Sequence, residues 1–173
     1  MVVKTKPPAK GAVRGAHEAP HKRILIVEGR FYDEISDELA NGAIAALKAH
    51  GAGYDRISVP GALEIPQALA QAVSAGLIPR TAANGHWDGV VALGCVIRGE
   101  TSHYDIVCNN ANHWLMEVAI RNGIPLGNGI LTVDTEAQAL ARARGGENGK
   151  GGAAVRACLS LIELAHAFEG QSA

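Results

Sequence analysis

The stretch "VVALGCVIRGETSHYDIV", residues 90–107, decides the fold. Its first eight residues form an unbroken apolar run, as expected of a strand buried on both faces. After the loop the spacing changes. Val107, Ala111, Trp114 and Val118 recur every three or four residues, which predicts a helix over 104–121. Between strand and helix lie Gly99, Glu100, Thr101, Ser102 and His103. A strand passing through a short polar loop into a helix is half of a parallel βαβ unit, so the alternation should recur along the chain.

It recurs on both sides. "RILIVEG" (23–29) is a short apolar run, and residues 33–50 place Ile35, Leu39, Ala43 and Leu47 on one helical face. Gly51 and Gly53 end that helix. "YDRISVPG" is a second strand stopped at Pro60-Gly61, followed by a helix over 62–75 and a loop through "PRTAANGHWDG". Beyond the opening stretch, "GILTV" (129–133) is the fourth strand and 135–143 a helix. The Gly-rich link "GGENGKGG" (145–152) leads to a last helix near 153–168, with Val155, Leu159 and Ile162 inward. Four strands alternating with helices predict a parallel sheet covered on both faces, with right-handed crossovers. In such folds ligands bind beyond the carboxyl ends of the strands.

Bulk properties narrow the function. The 173 residues favour one domain, with 47% apolar and only 4% aromatic content, so Ala, Val, Ile and Leu should build the core. The net charge of -1 gives no overall signal for nucleic acid. Charge is uneven: residues 1–22 carry five Lys or Arg against one Glu, and the remainder is acidic. That Pro- and Gly-rich opening is expected to be a flexible basic tail, with 23–173 forming the α/β domain. It lacks the apolar segment of a secretory signal, and no apolar run approaches a membrane span. Cys95, Cys108 and Cys158 are widely spaced without a CxxC, which fits reduced thiols in the cytoplasm. No HExxH or Cys/His spacing argues for a metal.

Three segments at strand ends carry unusual chemistry. At Gly99–His103 a helix N-terminus offers outward amides to an anion such as a phosphate monoester. Thr101 and Ser102 add hydroxyls, and His103 can trade a proton near neutral pH. Glu100 counts against an anion unless its side chain turns away. Phe31 in "EGRFYDE" could stack on a planar heterocycle, or simply pack. In "VPGALEIP", Ala62 and Leu63 begin a helix and Glu64 could accept hydrogen bonds from hydroxyl or amino groups, or merely complement the helix dipole. Farther on, Arg142, Arg144 and Lys150 flank the Gly-rich link, and an Arg could clamp phosphate in bidentate fashion. Arg98 in such a position more often holds an ion pair.

In order, "GRFY", "VPGALEIP", "DGVVALGCVIRGETSHYD", "GNGILT" and "ARARGGENGKGG" make a pattern more specific than any segment alone. From about Ile24 to Phe168 the chain resembles the lumazine synthase family. The resemblance implies a flavodoxin-like three-layer α/β/α sandwich around a central four-stranded parallel sheet. It implies the penultimate step of riboflavin biosynthesis, from two small-molecule substrates, with neither metal nor organic cofactor. Carried over by position, Phe31 looks like the residue that stacks on the pyrimidine, and Ala62, Leu63 and Glu64 like the binders of the ribityl chain. Cys95, Val96 and Ile97 match the strand end lining the pyrimidine pocket. Gly99, Glu100 and Thr101 match the phosphate loop, His103 the proton-transfer residue and Arg142 the phosphate-binding Arg. Lys150 matches a lysine near the ring.

The chain departs from the family at Asn128, where many members have an aromatic residue and an Asn could hydrogen-bond the ring edge but not stack on it, and at Glu147, where a basic residue is common. The resemblance also implies a homo-oligomer, a pentamer or a 60-subunit shell of pentamers, with the Asn128 and Arg142 segments completing a neighbour's site. Riboflavin synthase is a candidate partner. No nucleic acid and no membrane are expected. A lumazine-binding module without activity, a shell protein and another sugar-phosphate enzyme of the same fold remain open from sequence.

Overall fold

In the computed structural model, which describes residues 22–82 and 84–170, the alternation becomes four parallel strands. They are β1 (Arg23–Gly29), β2 (Gly53–Val59), β3 (Gly89–Ile97) and β4 (Leu126–Val133), in the order β2-β1-β3-β4. The connecting helices are α1 (Asp33–Ala49), α2 (Glu64–Ser74), α3 (His103–Arg121) and α4 (Glu136–Ala143), with α5 (Lys150–Glu169) at the end. Register is continuous from Ile24 opposite Tyr54 and Gly89 to Ile97 opposite Val133.

Strand alternation sorts the core into two halves. Ile24, Ile26, Val91, Leu93 and Leu131 point to one face and pack against α1, α4 and α5. Leu25, Val27, Val90, Ala92 and Ile130 point to the other and pack against α2 and α3. This is the expected three-layer α/β/α sandwich. Chain order turns back between β1 and β3, which fixes where a crevice must open.

Element boundaries differ from expectation where glycine is involved. β4 starts at Leu126 rather than Gly129, so Asn128 sits inside the strand opposite Ala92. α5 starts at Lys150, and Gly151 and Gly152 are buried in its first turn rather than forming a link. A Cβ on Gly151 would collide with the Leu39 carbonyl oxygen, so close approach of α5 to α1 explains that glycine. Only a short 3-10 turn, Gly146–Asn148, remains of the link.

Trp114 is exposed, and the inward face of α3 is Ala111, Leu115 and Ala119. Ile106, Trp114 and Ile120 lie on the outside of the same helix, so apolar residues occupy both faces and periodicity alone does not pick the core side.

The expected tail lies outside the described residues except Lys22. That residue is anchored: its Nζ lies 2.8 Å from Glu163 of α5, and its carbonyl accepts from Gly53 N–H. α5 is long and apolar enough to cross a membrane by length and composition, against the expectation from sequence. Its inward side nevertheless carries Ala154, Val155, Cys158, Leu159 and Ile162 in the core, so it is a core helix. The three cysteines are free, with Cys95 and Cys158 buried.

Candidate active site

A cleft of about 360 Å³ opens at the carboxyl ends of β1 and β3, where strand order reverses. The turn after β1 brings Phe31 and Tyr32, and the turn after β2 brings Pro60, Gly61, Ala62, Leu63 and Glu64. β3 lines the floor with Cys95, Val96 and Ile97. The loop into α3 adds Gly99, Thr101 and His103. Three segments remote in sequence therefore meet, because parallel strands deliver their carboxyl ends to one edge.

Phe31 is 71% exposed and touches the ring of Tyr32 edge-on at 4.9 Å, so one face of the ring stays open. No side-chain cap closes α3 at Ser102. Thr101 Oγ1 accepts the His103 N–H at 3.4 Å, and the helix end otherwise faces outward with its amide dipoles. The His103 imidazole and the Glu64 carboxylate have no hydrogen-bond partner among the described residues. Glu100 is exposed and does not line the cleft.

Arg98 does not point an unpaired guanidinium into the cleft. Its Nε donates to Asp134 at 3.0 Å, Nη1 lies 3.5 Å from Asp105, and the guanidinium stacks 4.0 Å over the Tyr104 ring. Burial, reinforced by nearby Cys108, pushes the Cys95 thiol up to about 11. It therefore stays protonated at neutral pH and is an apolar lining rather than a nucleophile. Burial also raises the Tyr32 phenol, which keeps it a hydrogen-bond donor.

The remaining sequence-named residues lie elsewhere. Arg142 and Lys150 meet in a second cleft of about 530 Å³, over β4, α4 and the start of α5, with Thr132 and Arg144. Arg142 Nη1 donates to the Gln138 carbonyl at 2.9 Å, which aims the guanidinium along α4, and Arg144 is held by Glu34 at 2.7 Å. The two clefts share no lining residue. Asn128 lines neither. Its amide donates to Asn112 Oδ1 at 2.7 Å and accepts from Ile130 N–H at 3.0 Å, bridging β4 to α3.

Sequence reasoning missed Tyr32, Tyr104 and Val107 as lining residues. Tyr32 and Tyr104 adjoin Phe31 and His103, and that adjacency was the available signal. Among the described residues no group of three or more His, Cys, Asp or Glu side chains gathers as metal ligands would.

Fold and cleft define an α/β protein with a cleft at the topological switch point of a parallel sheet. Comparison with known proteins narrows the class. A family model described as 6,7-dimethyl-8-ribityllumazine synthase matches residues 21–166. The 6,7-dimethyl-8-ribityllumazine synthase of Azorhizobium caulinodans is 55% identical over 142 residues, covering 82% of this chain and 85% of that protein. That of Methylorubrum populi is 54% identical over 145 residues, covering 84% and 83%. The 6,7-dimethyl-8-ribityllumazine synthase 1 of Rhodopseudomonas palustris is 50% identical over 142 residues, covering 82% and 85%. The chain belongs to the 6,7-dimethyl-8-ribityllumazine synthase family.

Proposed function

We infer that this chain condenses 5-amino-6-(D-ribitylamino)uracil with 3,4-dihydroxy-2-butanone 4-phosphate. The products are 6,7-dimethyl-8-ribityllumazine, phosphate and water, the penultimate step of riboflavin biosynthesis. One observation carries the assignment of the site: a single cleft gathers an open aromatic face, a carboxylate without a protein partner, and a helix end beside an imidazole.

In this assignment Phe31 stacks on the pyrimidine, which rests on Cys95, Val96 and Ile97. Glu64, with the backbone of Ala62 and Leu63, holds the ribityl hydroxyls. Gly99, Glu100 and Thr101 present backbone amides to the phosphate. The uracil's amine attacks the ketone and forms an imine, with loss of water. Phosphate then leaves, the enol tautomerises, and ring closure with dehydration completes the product. His103 relays protons between these steps. Holding two reactants in register supplies roughly 7–11 kcal/mol of the barrier reduction.

The second cleft supports a site shared between copies of the chain. Arg142 lies apart from His103, yet a phosphate at Gly99–Thr101 needs a cation. A neighbour in a closed ring would bring Arg142, Lys150 and the Asn128 segment to that cleft. We assign a homo-oligomer on this basis, either a pentamer or a 60-subunit shell of pentamers. Riboflavin synthase, as consumer of the product, is the candidate partner. Three free thiols support a cytoplasmic setting.

The test is a two-substrate assay, read by product absorbance, on protein of measured mass. Product that requires both substrates is the expected result. Binding of both without turnover overturns the reaction, and full activity from a monomer overturns the shared site.

A further inference from the structure

Glu28 and Ser36 are the buried polar side chains among the described residues, and Glu28, the charged one, is 3% exposed. Glu28 lines no cleft described above. Arg56 Nη2 donates to both its carboxylate oxygens at 2.9 Å, and Ser58 Oγ donates to one at 2.8 Å. Arg30 also approaches it, with Nη1 3.6 Å from Glu28 Oε2. Its Nη2 reaches Asp37 at 2.8 Å and Asp33 at 3.4 Å, both on α1. Its backbone N–H donates to the Val59 carbonyl at 3.0 Å. One guanidinium thus ties the end of β1 to the first turns of α1, while its amide ties it to β2.

A buried ion cluster is weak evidence for stability, because apolar replacements are often as stable or more so. What this cluster does is fix the connector that follows β1. The next residue is Phe31, whose exposed ring has no core packing to set its pose. The preceding residue, Gly29, lies so close to the β2–α2 turn that a Cβ would come within 2.8 Å of Gly61 C. The turns bearing Phe31 and Ala62–Glu64 therefore rest backbone on backbone, and a shift of one displaces the other.

We propose that Arg30, held by buried Glu28 and by Asp37, is the positioning residue that sets the Phe31 ring against the heterocyclic substrate. Arg30 lies outside the cleft lining, so it acts through the connector. The proposal rests on the reading of Phe31 as the stacking residue.

Kinetics of the full chain and of Arg30→Met and Arg30→Lys test it, with each substrate varied in turn. Arg30→Met should raise KM for the ribitylaminouracil about tenfold, since displacement of a positioning element by an ångström is costly. KM for the butanone phosphate and kcat should stay near the parent values. Arg30→Lys should recover part of the loss, since an ammonium can pair with Glu28 but cannot bridge as a fork. Equal rises in both KM values, or none, overturn the proposal. Should Arg30→Met fail to fold, Asp37→Asn removes the shortest contact of Arg30 at an exposed aspartate, and a rise confined to the uracil is again required. Amide exchange over residues 29–32 separates this proposal from the reaction itself. Exchange there should quicken in the Arg30 variant whether or not the parent turns over. Unchanged exchange overturns the clamp, whereas a parent without turnover overturns only the reaction.

Discussion

The two ends of the sheet differ in what they leave open: the carboxyl ends hold answered groups such as Glu28 and Arg98, but beside them stand side chains with no partner. At the amino ends, Arg23 grips Asp55 at 2.9 and 3.1 Å, and Trp87 Nε1 donates to the same carboxylate at 2.7 Å. Asp88 accepts from the Arg23 N–H at 2.7 Å and from Arg80 at 3.1 Å. Every one of these groups is answered within the chain. At the carboxyl ends, the side chains of His103, Glu64 and Lys150 have no hydrogen-bond partner among the described residues, and Phe31 shows an open face. Groups answered internally hold the fold. Groups left open beside a cleft are available to a ligand or to another copy of the chain. Changes at the open side chains should therefore alter kinetics at constant stability, and changes at the answered groups of the amino end the reverse.

The largest effect expected is at His103. Removing a proton relay costs typically ~10²–10⁴-fold in turnover, so His103→Ala should lose that much kcat while KM and Tm stay near the parent values. Its side chain is exposed, so little folding energy is at stake. An unchanged kcat removes the assigned role. A sharper form asks whether the two clefts belong to one site. His103→Ala and Arg142→Ala chains, each impaired alone, should regain about a quarter of parental activity when refolded together in equal amounts, because a heterologous ring lets one interface in four combine two intact halves. Absence of recovery in mixed rings would falsify the shared site.

Arg142→Lys should come next. It keeps the charge and loses the fork, so KM for the butanone phosphate should rise roughly tenfold and that for the uracil far less. Parallel rises would place Arg142 away from the phosphate.

Much of this contrast was legible in the sequence, for definite reasons. Continuous apolar runs and a 3.6-residue period determined four strands, the helices and their order, because burial on two faces leaves little choice of residue. Phe31, Ala62–Glu64, Cys95–Ile97 and Gly99–His103 are strand-end segments, and parallel topology forces strand ends together. What was not legible involves contacts that a single helix pattern does not encode. Which side of α3 faces inward was not legible, because apolar residues, exposed Trp114 among them, cover two sides of it. The glycines at 151 and 152 looked like a linker because composition does not distinguish freedom from close packing. The resemblance already implied that Arg142 serves a neighbour's site, whereas the placing of Lys150 beside it, away from His103, followed from seeing β4 at the sheet edge. Asn128 was read as a contact to the ring, and its pairing with Asn112 depends on a strand start three residues earlier than expected.

The smallest effect tests the other end of the sheet. Burial alone would raise the Asp55 carboxyl, but the hydrogen bonds from Arg23 and Trp87 outweigh it and hold the group below the usual carboxylate range. A carboxyl depressed on folding contributes stability above its unfolded value, about 3.9, and loses it as pH falls through the folded value. Asp55→Asn should therefore lower Tm at neutral pH, by about 1–3 °C for a pair this exposed to solvent. The gap between variant and parent should close as pH drops below ~4, because protonation makes the parent resemble the variant. Both KM values should stay at parental levels, measured in the same two-substrate assay at neutral pH. A variant with unaltered Tm but a raised KM would erase the division between the two ends, since a change at the strand starts would then be reaching the cleft without loosening the fold.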